Sequence, residues 1–209
     1  MVTLTLQPDG TAGKDGDIYS AQPTTNRGTE GFLSTGGVGG SVNVHRFVIQ
    51  FDLSSIPANA TIDSAVLSLY VQGDSSSNAR TIRAYRLLKV WDEAVLTWIK
   101  ATTTDDWGTA GAGNTTSDRE ATDIGTGTQP ASPSVNDEVQ ITLTASKIQE
   151  WIDGTLTNKG LLIKVDTEDT DSIDYNSSDH ATAGTRPKLV VNYTIPGSEE
   201  VVDGMFLAF

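Results

Sequence analysis

The chain has 209 residues, no cysteine and two histidines, and its 14 Lys and Arg face 27 Asp and Glu, a net charge of −13. A chain of this length buries roughly 70% of its extended surface on folding, enough for one domain held by its own core. The missing cysteines exclude thiol catalysis, thiolate zinc sites and disulfide scaffolds, and the negative charge argues against nucleic acid and, more weakly, against anionic polysaccharides and membranes as partners.

Residues 3–7 alternate and predict a first strand. Residues 9–40, rich in Gly and Thr and anchored by Ile18, Tyr19, Phe32 and Leu33, read as a long connection. His45, Phe47, Ile49, Phe51 and Leu53 then alternate with Arg46, Gln50 and Asp52, the mark of a half-buried strand. Asp52, Ser54 and Ser55 before Ile56-Pro57 predict a turn, because proline stops a sheet ladder and Asp accepts local backbone N–H bonds. Period two returns in Ala65, Leu67, Leu69 and Val71, and in a shorter run at 81–88. A second long connection, 102–137, has Trp107 and Ile124 as its large apolar groups. Alternation resumes in Val139, Ile141 and Leu143. Ala145, Ile148, Trp151 and Ile152 fall at helical spacing, with Thr144 placed to cap the start and Gly154 to end the helix in the left-handed conformation. Leu161, Ile163 and Val165, the run 172–176, and Leu189, Val191 and Tyr193 complete the strands. The prediction is an all-β fold over 1–196, an antiparallel jelly-roll-like β-sandwich with one short helix.

Residues 197–209 form a tail carrying Val201, Val202, Met205, Phe206, Leu207 and Phe209. Each such side chain gains ~1.5–3 kcal/mol on burial, so the tail is expected to dock on another subunit, in a homo-oligomer or a larger assembly, the alternative being that it folds back onto its own domain. The chain opens without the basic flank and apolar run of a secretory signal, and no stretch approaches the ~20 apolar residues that span a bilayer. Synthesis and use without Sec export are expected, or else a mature extracellular fragment, with no membrane partner.

The segment 46–57 (RFVIQFDLSSIP), continued by 60–70 (ATIDSAVLSLY), resembles the central signature of the DNRLRE, or disaggregatase-related, β-sandwich family. The likeness extends through Asp17-Ile18-Tyr19 with Asn26-Arg27-Gly28, Tyr85-Arg86, Trp91-Asp92-Glu93 with Thr97-Trp98, Trp107-Gly108, the helix around Trp151 and Arg186-Pro187-Lys188-Leu189, about residues 15–195 in all. It implies a non-catalytic jelly-roll-like domain of the kind found beside carbohydrate-active enzymes, in cell-surface proteins and in phage virions. Some relatives are classed as carbohydrate-binding modules. The family has no common catalytic residues, so membership speaks to fold more than to function.

Few residues invite chemistry. His45 is expected as a partly buried, hydrogen-bonded core histidine; His180 follows Asp179 directly, and neighbours on a strand face opposite ways. No nucleophile-elbow pattern is present. In the acidic run Asp166, Glu168, Asp169, Asp171 and Asp174, the pair Asp169 and Asp171 could place oxygens around a structural Ca²⁺, although a solvated loop is the commoner use of such a run. Trp91, Trp98 and Trp151 are expected in the core. Trp107 is the candidate exposed platform for a sugar ring, the alternative being that it pins its loop to the sandwich, with Tyr19, Tyr70 and Tyr175 as further stacking candidates. The sequence thus predicts a non-enzymatic structural or adhesion protein without a resident cofactor, a phage virion accessory subunit such as a capsid decoration or tail-associated protein. The alternative is a carbohydrate-binding module of a polysaccharide-degrading system.

Overall fold

Alternating segments pair wherever their apolar sides can meet, and the computed structural model, which describes residues 1–8, 13–38, 43–74 and 76–197, shows the result. The described residues form β1 (Val2–Leu6), β2 (Gly13–Tyr19), β3 (Phe32–Gly37), β4 (Val44–Phe51), β5 (Thr61–Asp74), β6 (Arg80–Arg86), β7 (Gly125–Gln129), β8 (Glu138–Leu143), α1 (Ala145–Ile152), β9 (Leu161–Val165), β10 (Ser172–Asn176) and β11 (Lys188–Thr194). All strand pairings are antiparallel.

Hydrogen bonding runs β5–β10–β3–β4–β9–β6–β7–β8 and returns to β5, closing an eight-strand, barrel-like ring among the described residues. The expected all-β, antiparallel class with one short helix is present. Two separate sheets are not what the pairing describes, because two strands carry more than two neighbours. The fourteen-residue β5 holds β11 along 61–68, β10 along 71–74 and β8 along 65–70. β4 holds β2 along 45–51, β9 along 47–49 and β3 at 44–45. β1 hangs on β11, outside the ring.

Alternation decides what the ring encloses. Phe47, Ile49, Ala65, Leu67, Leu69, Ile82, Ile141, Ile163, Ile173 and Tyr175 share one buried cluster. A second cluster joins Ile18, Val48 and Leu162, on the other side of the same strands, to Leu87, Trp91, Leu96, Ala101, Trp107 and Ala112. The long segment 87–124 is therefore a second layer laid over β2, β4 and β9. Its backbone bonds to itself, as in Trp107 N to Ile99 O (2.8 Å) and Leu88 N to Asp118 O (2.8 Å). The buried Asp118 carboxylate ties it further, accepting from the N–H groups of Gly108, Thr109 and Asn114 and from the Ser117 hydroxyl.

Three strands fall inside stretches expected to be connections: β2, β3 and β7. In β2, Asp15 and Asp17 stand opposite Ile49 and Phe47 and are fully buried, so the inward positions are polar and break the apolar period. β7 is Gly-Thr-Gly-Thr-Gln; a Cβ at Gly127 would lie 2.1 Å from Gln140 O, so this close pairing with β8 admits only glycine. The helix is where expected, with Gly154 at φ +75° just beyond it. Thr144 occupies the capping position, but its side chain makes no capping bond. Gln149 fastens the helix to the start of β5, donating to Ala60 O (3.0 Å) and accepting from Ile62 N (2.8 Å). No helix of the described residues is long and apolar enough to cross a membrane.

Candidate functional site

The aromatic candidates do not assemble into one surface. Trp107 is only 5% exposed, packed in the second cluster with its indole N–H donated to Thr97 O (3.1 Å), and Tyr175 lies wholly within the ring. Neither offers a ring face to a sugar, which corrects the expectation for both. The reason is the same: each ring is taken up by a buried cluster, Trp107 under the outer layer and Tyr175 beside Phe47. Tyr19 stacks on His45 at 3.8 Å between centroids, with Arg27 above it, and Tyr70 lies under the Lys188 ammonium. Both tyrosines are half-buried.

Asp169 and Asp171 come together, but around a guanidinium. Both accept from Arg80 Nη2, and Asp171 also accepts from the Ser77 and Asn78 N–H groups and their side chains. The Ser77 backbone bond is the main reason its carboxyl is held down at about 2. A cation there would have to displace Arg80, so the pair is a strand-loop clasp. The described residues hold no cluster of three or more His, Asp or Glu able to bind a metal. Val201, Val202, Met205, Phe206, Leu207 and Phe209 lie outside the described residues.

His45 is buried as expected, its Nδ1 facing Asp17 (3.3 Å), whose carboxylate also accepts from Arg27 Nε (2.8 Å) and Ser34 N (3.0 Å). His180 accepts from Thr182 N in its own turn. Asp15 accepts from the backbone N–H and hydroxyl of Ser178, yet burial dominates and pushes its carboxyl up to about 7. These groups connect strands and loops and do not converge on an open space.

A groove opens where β4 ends. About 880 Å³ in volume, it is walled by Gly13 and Lys14 of β2, by Gln50 and Phe51, by the turn from Asp52 to Ala58, by Trp151 and Ile152 at the end of α1, and by Thr157 and Asn158. A smaller hollow lined mostly by apolar side chains adjoins it, sharing Phe51, Leu53, Trp151 and Asn158. The turn folds as its sequence predicts, Asp52 accepting from Ser54 N (2.9 Å). That bond leads the contacts that lower the Asp52 carboxyl below its ordinary range. Asn158 fixes the opposite wall, donating to Phe51 O (2.9 Å) while its own carbonyl accepts from Gln50 (3.0 Å). Lys14 donates to Trp91 O and sits 4.1 Å over that indole; partial burial lowers its ammonium pKa against the pull of Asp92 and Glu93. Trp151 is half-buried, and its indole N–H has no acceptor among the described residues, an uncommon state for a buried donor.

Sequence reasoning placed Trp151 in the core and did not single out Lys14, Gln50 or Asn158. The available signal was the density of polar side chains around the 50–58 turn. Their meeting with 157–158 depends on ring closure, which no local pattern announces.

A comparison with curated proteins gives no match. A family model described as the disaggregatase related repeat domain matches residues 15–191, which takes in every strand of the ring and the whole outer layer. The chain belongs to the disaggregatase related repeat domain family.

Proposed function

We propose that this domain works by binding and not by catalysis, and that the groove at the end of β4 holds a stretch of neutral glycan. One observation carries the reading. The half-buried Trp151 borders an open groove whose other walls present Lys14, Gln50, Asp52, Ser54, Thr157 and Asn158. Sugar rings have apolar C–H faces that pack on aromatics and hydroxyls that exchange hydrogen bonds with such side chains. A charge of −13 favours an uncharged polymer over an acidic one. The test is retention of wild type and Trp151→Ala on a panel of immobilised neutral polysaccharides, with melting curves to show that both are folded. Wild type should be retained by at least one polymer and the variant lose about tenfold or more in affinity. Absence of retention across the panel would reject the reading.

A second reading is favoured by sequence: a structural subunit of a larger assembly, as a capsid decoration or tail-associated protein of a phage virion would be. β11 already has a partner on either side, β1 and β5, and the segment that follows contributes six apolar side chains. Deleting 198–209 should leave melting unchanged and abolish self-association in light scattering; unchanged association would remove the support. Virion or extracellular location follows whichever reading survives. On architecture, we read the ring as a flattened, jelly-roll-like sandwich, and the chain as a DNRLRE-type member of its family.

A further inference from the structure

Most arginines in this acidic chain have a carboxylate of their own. Arg27 pairs with Asp17, Arg80 with Asp169 and Asp171, Arg83 with Asp123, and Arg86 with Glu120 and Glu150. On the outer face of β4 and β9 the balance reverses. Arg46 grips Glu168 through Nε (2.6 Å) and Nη2 (2.9 Å), and Lys164 Nζ reaches the same carboxylate at 3.0 Å. These three side chains are each about 15% exposed or less.

Arg119, from the outer layer, adds a third cation within electrostatic reach of Arg46, Lys164 and Glu168. The acids on either side of it in sequence are otherwise engaged. Asp118 is occupied by its four loop donors, and the Glu120 carboxylate serves Arg86. The Arg119 side chain makes one hydrogen bond among the described residues, Nη1 to Glu120 O (2.9 Å), and lies 4.3 Å over the Tyr85 ring. Its Nε is buried with no partner, and it makes no ion pair among the described residues. Trp98 flanks the cluster, 5.1 Å from the Arg46 guanidinium carbon.

Three cations thus share one carboxylate between aromatic walls, in a chain with almost twice as many acids as bases. A half-buried guanidinium without a direct ion pair of its own is costly, and stacking on one ring offsets only part of that cost. A planar fork beside an ammonium is the donor set that suits a tetrahedral or planar oxyanion. We propose that this cluster is an anion site, in which Arg119 and Lys164 hold a phosphate, sulfate or carboxylate group against Tyr85. Glu168 acts there as the resident competitor. The site is built from other residues than the groove and stands independently of the glycan reading.

The test is calorimetric titration of the intact chain with inorganic phosphate, sulfate and acetate in separate arms at constant ionic strength, with backbone amide shifts followed by NMR. Saturable binding is expected in at least one arm, with shifts centred on residues 46, 85, 119 and 164. Arg119→Gln should weaken it by tenfold or more, and Arg119→Lys by less. Glu168→Gln should tighten it several-fold by releasing Arg46 and Lys164, an effect that a merely structural role for Glu168 does not produce. Arg83→Gln, on the same face but paired with Asp123, should leave affinity unchanged. Absence of saturation in all three arms, equal affinity in Arg119→Gln, or no tightening in Glu168→Gln would each overturn the assignment. The last arm decides the matter alone if Arg119→Gln does not fold.

Discussion

The two buried clusters of this domain are made by different physics. Inside the ring, strands supply mostly apolar residues at alternating positions, joined edge to edge by antiparallel ladders, with a few buried polar bonds such as Thr35 to Gln129. In the outer layer the chain has little regular structure between β6 and β7; three tryptophans, a buried aspartate and backbone bonds at irregular spacing hold it down. The first solution depends on many equivalent contacts and the second on a few specific ones. The ring should therefore fail as a whole and the layer locally.

Phe47→Ala gives the largest effect. Its side chain is fully buried in the ring, and truncation should cost about 3–5 kcal/mol, with both regions lost in one melting transition. A transition that splits in two would show that the regions fold independently. Asp118→Ala comes next, at about 2–3 kcal/mol, because it strands backbone donors in a buried loop. Hydrogen exchange should rise across 87–124 while the amides of β5, β9 and β11 stay protected. Uniform loss of protection would erase the proposed contrast.

The seam between the regions should be sensitive to pH. Asp15 stands opposite Ile49, and its N–H donates to Glu93 of the outer layer (2.9 Å). Burial raises its folded pKa to about 7 from 3.8, and it raises Glu93 in the same direction. A raised carboxyl pKa means that the folded state holds the proton more tightly, so stability falls as pH climbs through that value. Between pH 5.5 and 8 Asp15 alone should remove about 2 kcal/mol. Asp15→Asn, which keeps an acceptor for Ser178 N, should flatten the dependence of melting temperature on pH in that window. Lys100→Ala should be the smallest change, within about 0.5 kcal/mol, since its bond to Asp106 joins two exposed side chains.

The same contrast explains what could be read from the amino acids. β4, β5, β8, β9, β10 and β11 were legible because they alternate, and the 52–57 turn and the helix because their punctuation is local. β2, β3 and β7 were not, since Asp, Ser, Thr, Gly and Gln fill most of their buried positions and interrupt any apolar period around Ile18 and Leu33. The tryptophans of the outer layer were visible as anchors, but Trp107 was expected outside, because a polar neighbourhood in sequence, Asp106 and Gly108, says nothing about what folds over it. Of the groove, only the 52–57 turn was legible. Arg119 carried no sequence signal at all, as its isolation arises only when Asp118 and Glu120 turn to other partners.

β1 and β11 carry a mechanical consequence. Val2 lies opposite Tyr193, so tension applied through the chain on either side of the domain pulls on neighbouring ends of one antiparallel pair. That geometry loads hydrogen bonds one after another instead of together. β1 should peel first and β11 next, lengthening the tether in small steps while the eight closed strands still stand. A domain built this way would yield at its margin under load and recover by zipping two strands back.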